Sequence, residues 1–199
     1  MKRFGYSFLP LFLLGVLVSG CDTRTPVAVH FNPDGNGPLT SIKASTILVQ
    51  VEDLRPAAER DSVYQIVADV GGTQTFYTKK PVPLIVQDAL VSELSKCGHR
   101  AVTDPGAPVD ARVKIGLERF RAFLSTTTLH YTMEGQIDAE ISVTNDAKKT
   151  TAGPFRISGN YQRKSSSHQV YPPEKELSAA LAEFVHNLAF DSRFAEALQ

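Results

Sequence analysis

The chain has 199 residues, with 21 Lys plus Arg balanced by 21 Asp plus Glu, and 42% of its residues are hydrophobic. Charge neutrality without a basic run or an aromatic–basic motif argues against nucleic acid as a partner, because nucleic-acid binders normally carry a basic patch. That length suits one domain of ordinary size.

Lys2 and Arg3 give a short positive start, and Phe4 to Val18 is a nearly unbroken apolar run of about 15 residues. Spanning the hydrocarbon core as a helix takes roughly 20 residues. A positive start, a short apolar stretch and a small-residue exit describe a secretion signal. The exit, Leu17-Val18-Ser19-Gly20-Cys21, resembles the lipobox of bacterial lipoproteins. That resemblance implies a diacylglyceryl group on the sulfur of Cys21, cleavage before it, and further acylation of the freed amine. Two or more acyl chains hold a protein stably at a membrane. The expected organisation is a signal peptide over 1–20, a lipidated N-terminus and tether over 21–44, and a single domain over 45–199. Removing Lys2 and Arg3 with the signal leaves a mature net charge of about −2, from 19 basic and 21 acidic residues. No transmembrane helix is expected after Cys21.

From Asp22 to Ala44 the chain is rich in Pro, Gly, Asn and Thr, which is loop chemistry. Alternation of Val27, Val29 and Phe31 with Ala28 and His30 predicts a short edge strand there. If flexible throughout, the segment would reach about 25–30 Å, letting the body stand off the membrane.

The run Thr46–Asp53 predicts a strand with Ile47, Val49 and Val51 on one face. It leads to Asp53-Leu54-Arg55, whose carboxylate and guanidinium, two residues apart, lie on one face of a strand. The pair is either a local ion pair at the strand exit or a contact for a partner. Val63–Val70 and Thr73–Lys79 flank Gly71-Gly72, predicting a hairpin. Val82, Val86, Ala89, Leu90, Leu94 and Cys97 recur at helical steps, with Gly98 placed as a C-terminal cap. Cys97 closes that apolar stripe, and with Cys21 lipidated it has no intramolecular partner, so it is expected as a buried thiol.

Strands follow after Asp104–Pro108. Val113, Ile115 and Leu117 alternate, and the period of two then runs from Leu129 through Val143. Asn145–Lys148 turns the chain, and Phe155, Ile157, Gly159 and Tyr161 give the return strand. Ser165–Pro173 reads as a polar loop. Leu177, Leu181, Phe184, Val185 and Leu188 mark a helix beginning after Pro172-Pro173, and Asp191 is placed to cap a terminal helix carrying Phe194 and Leu198. The predicted class is α+β: an antiparallel sheet with two main helices on one face, preceded by the anchored tether.

No chemistry is spelled out. His30, His99, His130, His168 and His186 are scattered without metal-ligand spacing. There is no Gly-x-Ser-x-Gly segment and no phosphate-binding loop. Neither a catalytic residue, nor a metal, nor a cofactor is expected.

The lipobox at Cys21, the strand into Asp53-x-Arg55, the helix ending Glu93-Leu94 … Gly98, the Val113–Leu117 strand, the pair from Leu129 to Tyr161 and the closing helix through Asp191 together resemble the YajG-type family of Gram-negative lipoproteins. The resemblance implies an envelope lipoprotein without established catalysis. It would be held at a membrane with its body in the periplasm and would bind an envelope protein or lipid. The layout is also similar to auxiliary lipoproteins of envelope ABC transport systems, which is the alternative. Asp22 resembles the enterobacterial signal for inner-membrane retention; the choice of membrane stays open.

Overall fold

Strict alternation shapes the longest strands. The computed structural model describes residues 22–67, 73–126, 131–165 and 172–199. Cys21, the Gly71-Gly72 turn, His130, His168 and most of the Ser165–Pro173 loop lie outside the described residues. Strand β7 (Tyr131–Asn145) buries every second residue from Met133 to Asn145. It pairs antiparallel with β6 (Ala111–Thr126) on one side and β8 (Thr150–Ser165) on the other. The buried side chains form one face of the core, and the intervening polar ones face outward.

The large sheet has the order β5-β2-β6-β7-β8, with β2 at Thr46–Asp53 and β5 at Arg100–Val102. Here the expectation of an antiparallel sheet needs correcting. β2 runs parallel to both β5 and β6, so the sheet is mixed. Parallel neighbours need a long crossover rather than a hairpin, and α2 (Val82–Lys96) lies in the connection from β2 to β5. Ile47, Leu48 and Val49 are consecutive and all fully buried, as suits an inner strand with a parallel neighbour on each side.

A second sheet, β1-β4-β3, is formed by Thr23–Val27, Thr73–Thr78 and Tyr64–Val67. β3 and β4 pair antiparallel, as the predicted hairpin requires, and β1 adds in parallel to β4. One backbone hydrogen bond, from Ala122 N to Val63 O at 2.7 Å, ties this small sheet to β6. The short helix α1 (Ala57–Arg60) lies between β2 and β3.

Helix α3 (Glu174–Phe190) buries Leu177, Leu181, Phe184, Val185 and Leu188, the predicted stripe. It settles onto two glycines of the sheet. A Cβ at Gly135 would come within 2.3 Å of the Glu176 carbonyl oxygen, and one at Gly159 within 2.2 Å of the Ala180 oxygen. The backbone of α3 therefore touches the backbone of β7 and β8, an approach that only glycine permits. Asp191 caps α4 (Ser192–Leu198) through the amides of Arg193 and Phe194, as predicted. Helices α2, α3 and α4 and the inward face of the large sheet share one core.

The segment expected as a flexible tether is packed. Its strand is β1 at Thr23–Val27, not Val27–Phe31. Beyond it the chain is extended but bonds to helices instead of to a strand. Ala28 N donates to Glu174 Oε1 at 3.1 Å and His30 N to Ser178 Oγ at 3.0 Å. Val27 and Leu39 are buried in the common core. Side-chain acceptors satisfy these amides, so the alternation of residues 27–31 needs no sheet partner.

Candidate functional site

The one charged pair singled out in the sequence is structural in its geometry. Arg55 is 1% exposed. Its Nε and Nη2 donate to the two Asp53 carboxylate oxygens at 2.8 Å each, and Nη1 donates to the Glu59 carbonyl at 3.1 Å. Arg60 Nε returns a bond to the Arg55 carbonyl at 3.0 Å. The fork of a guanidinium matches a carboxylate on one side and helix-end carbonyls on the other, so Arg55 fastens α1 against the end of β2. Burial raises the Asp53 carboxyl pKa, but the hydrogen bonds and charge of Arg55 outweigh it and hold the group below its ordinary value.

A second buried cluster, not legible from spacing alone, joins α2 to the N-terminal segment. Glu93 is 3% exposed, and its two oxygens accept from the backbone amides of Asp34 at 2.8 Å and Gly35 at 2.9 Å. Gly35 has φ +69°, and its Cα lies so close to Lys96 that a Cβ would overlap that side chain. Cys97 lies one turn on, its Sγ 3.8 Å from Glu93 Oε1. Burial, with the adjacent Glu93 carboxylate, pushes the thiol pKa up to about 11. Cys97 is thus the buried thiol predicted from its stripe.

At the end of the body formed by Asp110, Asn145 and Leu198 an open cleft of about 710 Å³ is lined by Ser41–Ser45, Asp110, Asn145, Lys148 and the C-terminal Gln199. Ser45 Oγ lies 3.1 Å from His99 Nδ1, while His99 Nε2 lies 3.1 Å from the Leu39 carbonyl. A serine beside an imidazole is the start of a nucleophilic site. Here the imidazole is 4% exposed, and its second nitrogen meets a neutral carbonyl, so it must carry its proton on Nε2. Among the described residues neither ring nitrogen meets a carboxylate that could stabilise an imidazolium. Asp110 instead accepts the Thr46 amide at 2.7 Å. In this geometry the pair braces Leu39 and Ser45 against the α2–β5 turn. Among the described residues no group of three His, Cys, Asp or Glu is arranged to hold a metal.

The outward face of the large sheet is a lattice of cross-strand ion pairs: Lys114–Glu52, Arg119–Asp138, and Arg156 with both Glu118 and Glu140. At its margin β8 is an edge strand of 16 residues. The Gly153–Pro154 peptide and the register shift opposite Ile141/Val143 interrupt its first third. From Phe155 onward its pairing with β7 is continuous to Ser165. Near the far end of β8, Arg163 Nε approaches the fully buried Glu176 Oε1 to 2.5 Å without the alignment of a hydrogen bond, so that contact is electrostatic.

The body is a mixed-sheet α+β domain whose buried polar groups fasten its own segments, and none of its described helices is long and apolar enough to cross a membrane. The chain belongs to the YajG-type family of uncharacterized lipoproteins: the family's model matches residues 17–199, a span that includes Cys21. Among solved structures it is similar to a Xanthomonas campestris protein of the DUF330 family, with 15% identity, 87% of this chain and 96% of that one covered, and a TM-score of 0.57. A looser match is the lipoprotein GNA1162 of Neisseria meningitidis, at 12% identity, 63% and 87% coverage and a TM-score of 0.25. No functionally curated protein matches the sequence.

Proposed function

We propose that this lipoprotein is anchored through lipid on Cys21, with its body in the periplasm, and acts by binding an envelope component without turnover. The observation that carries this reading is the edge of β8. An edge strand presents backbone donors and acceptors to which an extended segment of another protein can add, although the Ser158 carbonyl already accepts from Asn187 Nδ2 at 2.8 Å. The lipid anchor supplies effective concentration, so a weak strand-addition surface suffices. The edge of Val27–Phe31 that faces α3 does not serve this purpose, because the amides of Ala28 and His30 are already bonded there.

The test is in-cell photocrosslinking from Ser158 and Asn160, both exposed on β8. Capture of one discrete envelope partner is the expected result. Hydrolysis of a lipid or glycan by the purified protein, abolished by Ser45→Ala, would make the Ser45–His99 pair catalytic and end the binding model.

The alternative, an auxiliary lipoprotein of an envelope lipid or ABC transport system, draws on a groove of about 420 Å³. Val27, Val29 and Ile85 line it, with Lys79, Lys80 and Glu174 among its polar groups. Native mass spectrometry of protein extracted from membranes discriminates the two readings: a co-purifying lipid lost on Ile85→Glu would favour transport.

A further inference from the structure

The ladder that holds β1 stops before the extended chain does. Val27 pairs with Thr78, the last residue of β4, after which Lys79-Lys80-Pro81 turns away into α2. The N-terminal segment runs on beside α3, where Glu174 and Ser178 take the amides of Ala28 and His30. Along an extended chain the backbone groups of successive residues point to opposite sides. Val29 and Phe31 therefore turn their N–H and C=O groups away from α3. Among the described residues nothing bonds to them there.

On that side lies an open groove. The hollow of about 420 Å³ beside Val27 and Val29 is followed by one of about 220 Å³ beside Val29 and Phe31, and Val29, Lys80 and Ile85 line both. Two residues of extended chain advance about 6.6 Å, so the hollows succeed one another at the repeat of side chains on one face of a strand. Ile85, Ala89 and Ser92 of α2 form the far wall. The charges along the lining balance, Lys79 and Lys80 against Asp88 and Glu174, and Lys80 and Asp88 pair with each other. An acyl chain entering here would displace water from the Val29 and Phe31 backbone and offer no hydrogen bond in return. An extended polypeptide offers both donors and acceptors.

We infer that the groove between residues 27–31 and α2 receives a short extended segment of another protein chain. The segment takes up the place that β4 vacates, pairs with the backbone of Val29 and Phe31, and sets two small apolar side chains into the hollows. Backbone pairing supplies the hold, and the hollows select apolar residues at alternate positions. Because the lining is neutral in sum, the guest is uncharged and its binding changes little with salt. This site is separate from the β8 edge and stands or falls without it.

The probe is a blocked hexapeptide of alternating valine and threonine, added at millimolar concentration to the detergent-extracted protein, with amide hydrogen exchange as the readout. Exchange at Val29 and Phe31 should slow about tenfold or more, while the amides of Ala28 and His30, already bonded, change little. Two N-methylated versions of the peptide, one blocked at every valine and one at every threonine, report on the backbone. Only one set of amides faces the groove edge, so one version should lose the protection and the other keep it. Ser92→Phe, which fills the second hollow, should abolish protection while the near-ultraviolet circular dichroism stays native. Unchanged exchange at Val29 and Phe31, equal protection by both methylated peptides, or a lipid that occupies the groove and excludes the peptide would overturn the inference. None of these results bears on crosslinking from Ser158 on β8.

Discussion

At Arg55 a guanidinium has been taken out of water, and its partners were placed to receive it. Arg55→Met would leave the Asp53 carboxylate and the Glu59 carbonyl without their donor. Breaking a buried pair from one side costs about 3–5 kcal/mol, which urea unfolding should show as a lowered midpoint. The depressed Asp53 pKa sets the sign of the pH dependence. Its contribution is complete above the unfolded carboxylate pKa near 3.9 and is lost as pH falls through the folded value. The stability gap between the wild-type chain and Arg55→Met should therefore narrow in acid below about pH 4. Cys97 gives a second residue-scale expectation. With its thiol pKa pushed up to about 11 and its sulfur buried, it should resist maleimide at neutral pH and react once urea unfolds the chain. Rapid labelling of the native protein would contradict its placement.

Among the elements, those with an uninterrupted period were legible from the sequence. The stripe Val82–Cys97 gave α2, Leu177–Leu188 gave α3, and the alternation from Leu129 gave β7, because each buries one face and side-chain spacing records that directly. Period two does not record the direction of a neighbouring strand, so the parallel pairing of β2 with β6 was not visible. Nor was the docking of residues 28–37, which depends on Glu93 meeting amides 59 and 58 residues away. Ser45 and His99, 54 residues apart, escaped for the same reason. Two substitutions test these couplings. Glu93→Gln removes the charge from two hydrogen bonds, each worth about 1.5–3 kcal/mol when charge-assisted, so hydrogen exchange at the Asp34 and Gly35 amides should accelerate. Gly159→Val places side-chain atoms where the α3 backbone now lies. Overpacking costs about 1–3 kcal/mol or more, and loss of α3 packing should appear in the near-ultraviolet circular dichroism.

For the whole molecule, the family and the fold class were legible because nearly every element of the mature chain contributes a spacing pattern. The binding surface was only partly so: the sequence pointed to the Leu129–Tyr161 strand pair, but the topology puts β7 inside the sheet and leaves β8 at its margin. The central claim joins this edge to the anchor, and it predicts that the edge captures its partner far less well without the anchor. The direct measurement is crosslinking yield from Ser158 in two forms of the protein in cells. One is the lipidated chain. The other carries Cys21→Ala behind a conventional secretion signal, so that the same fold is free in the periplasm. The account predicts the same captured partner in both, with the yield falling at least tenfold when the anchor is removed, a threshold set below the gain of about 10²–10⁴ expected of tethered binding. Equal yields from the anchored and free forms, or no partner from either, would contradict it.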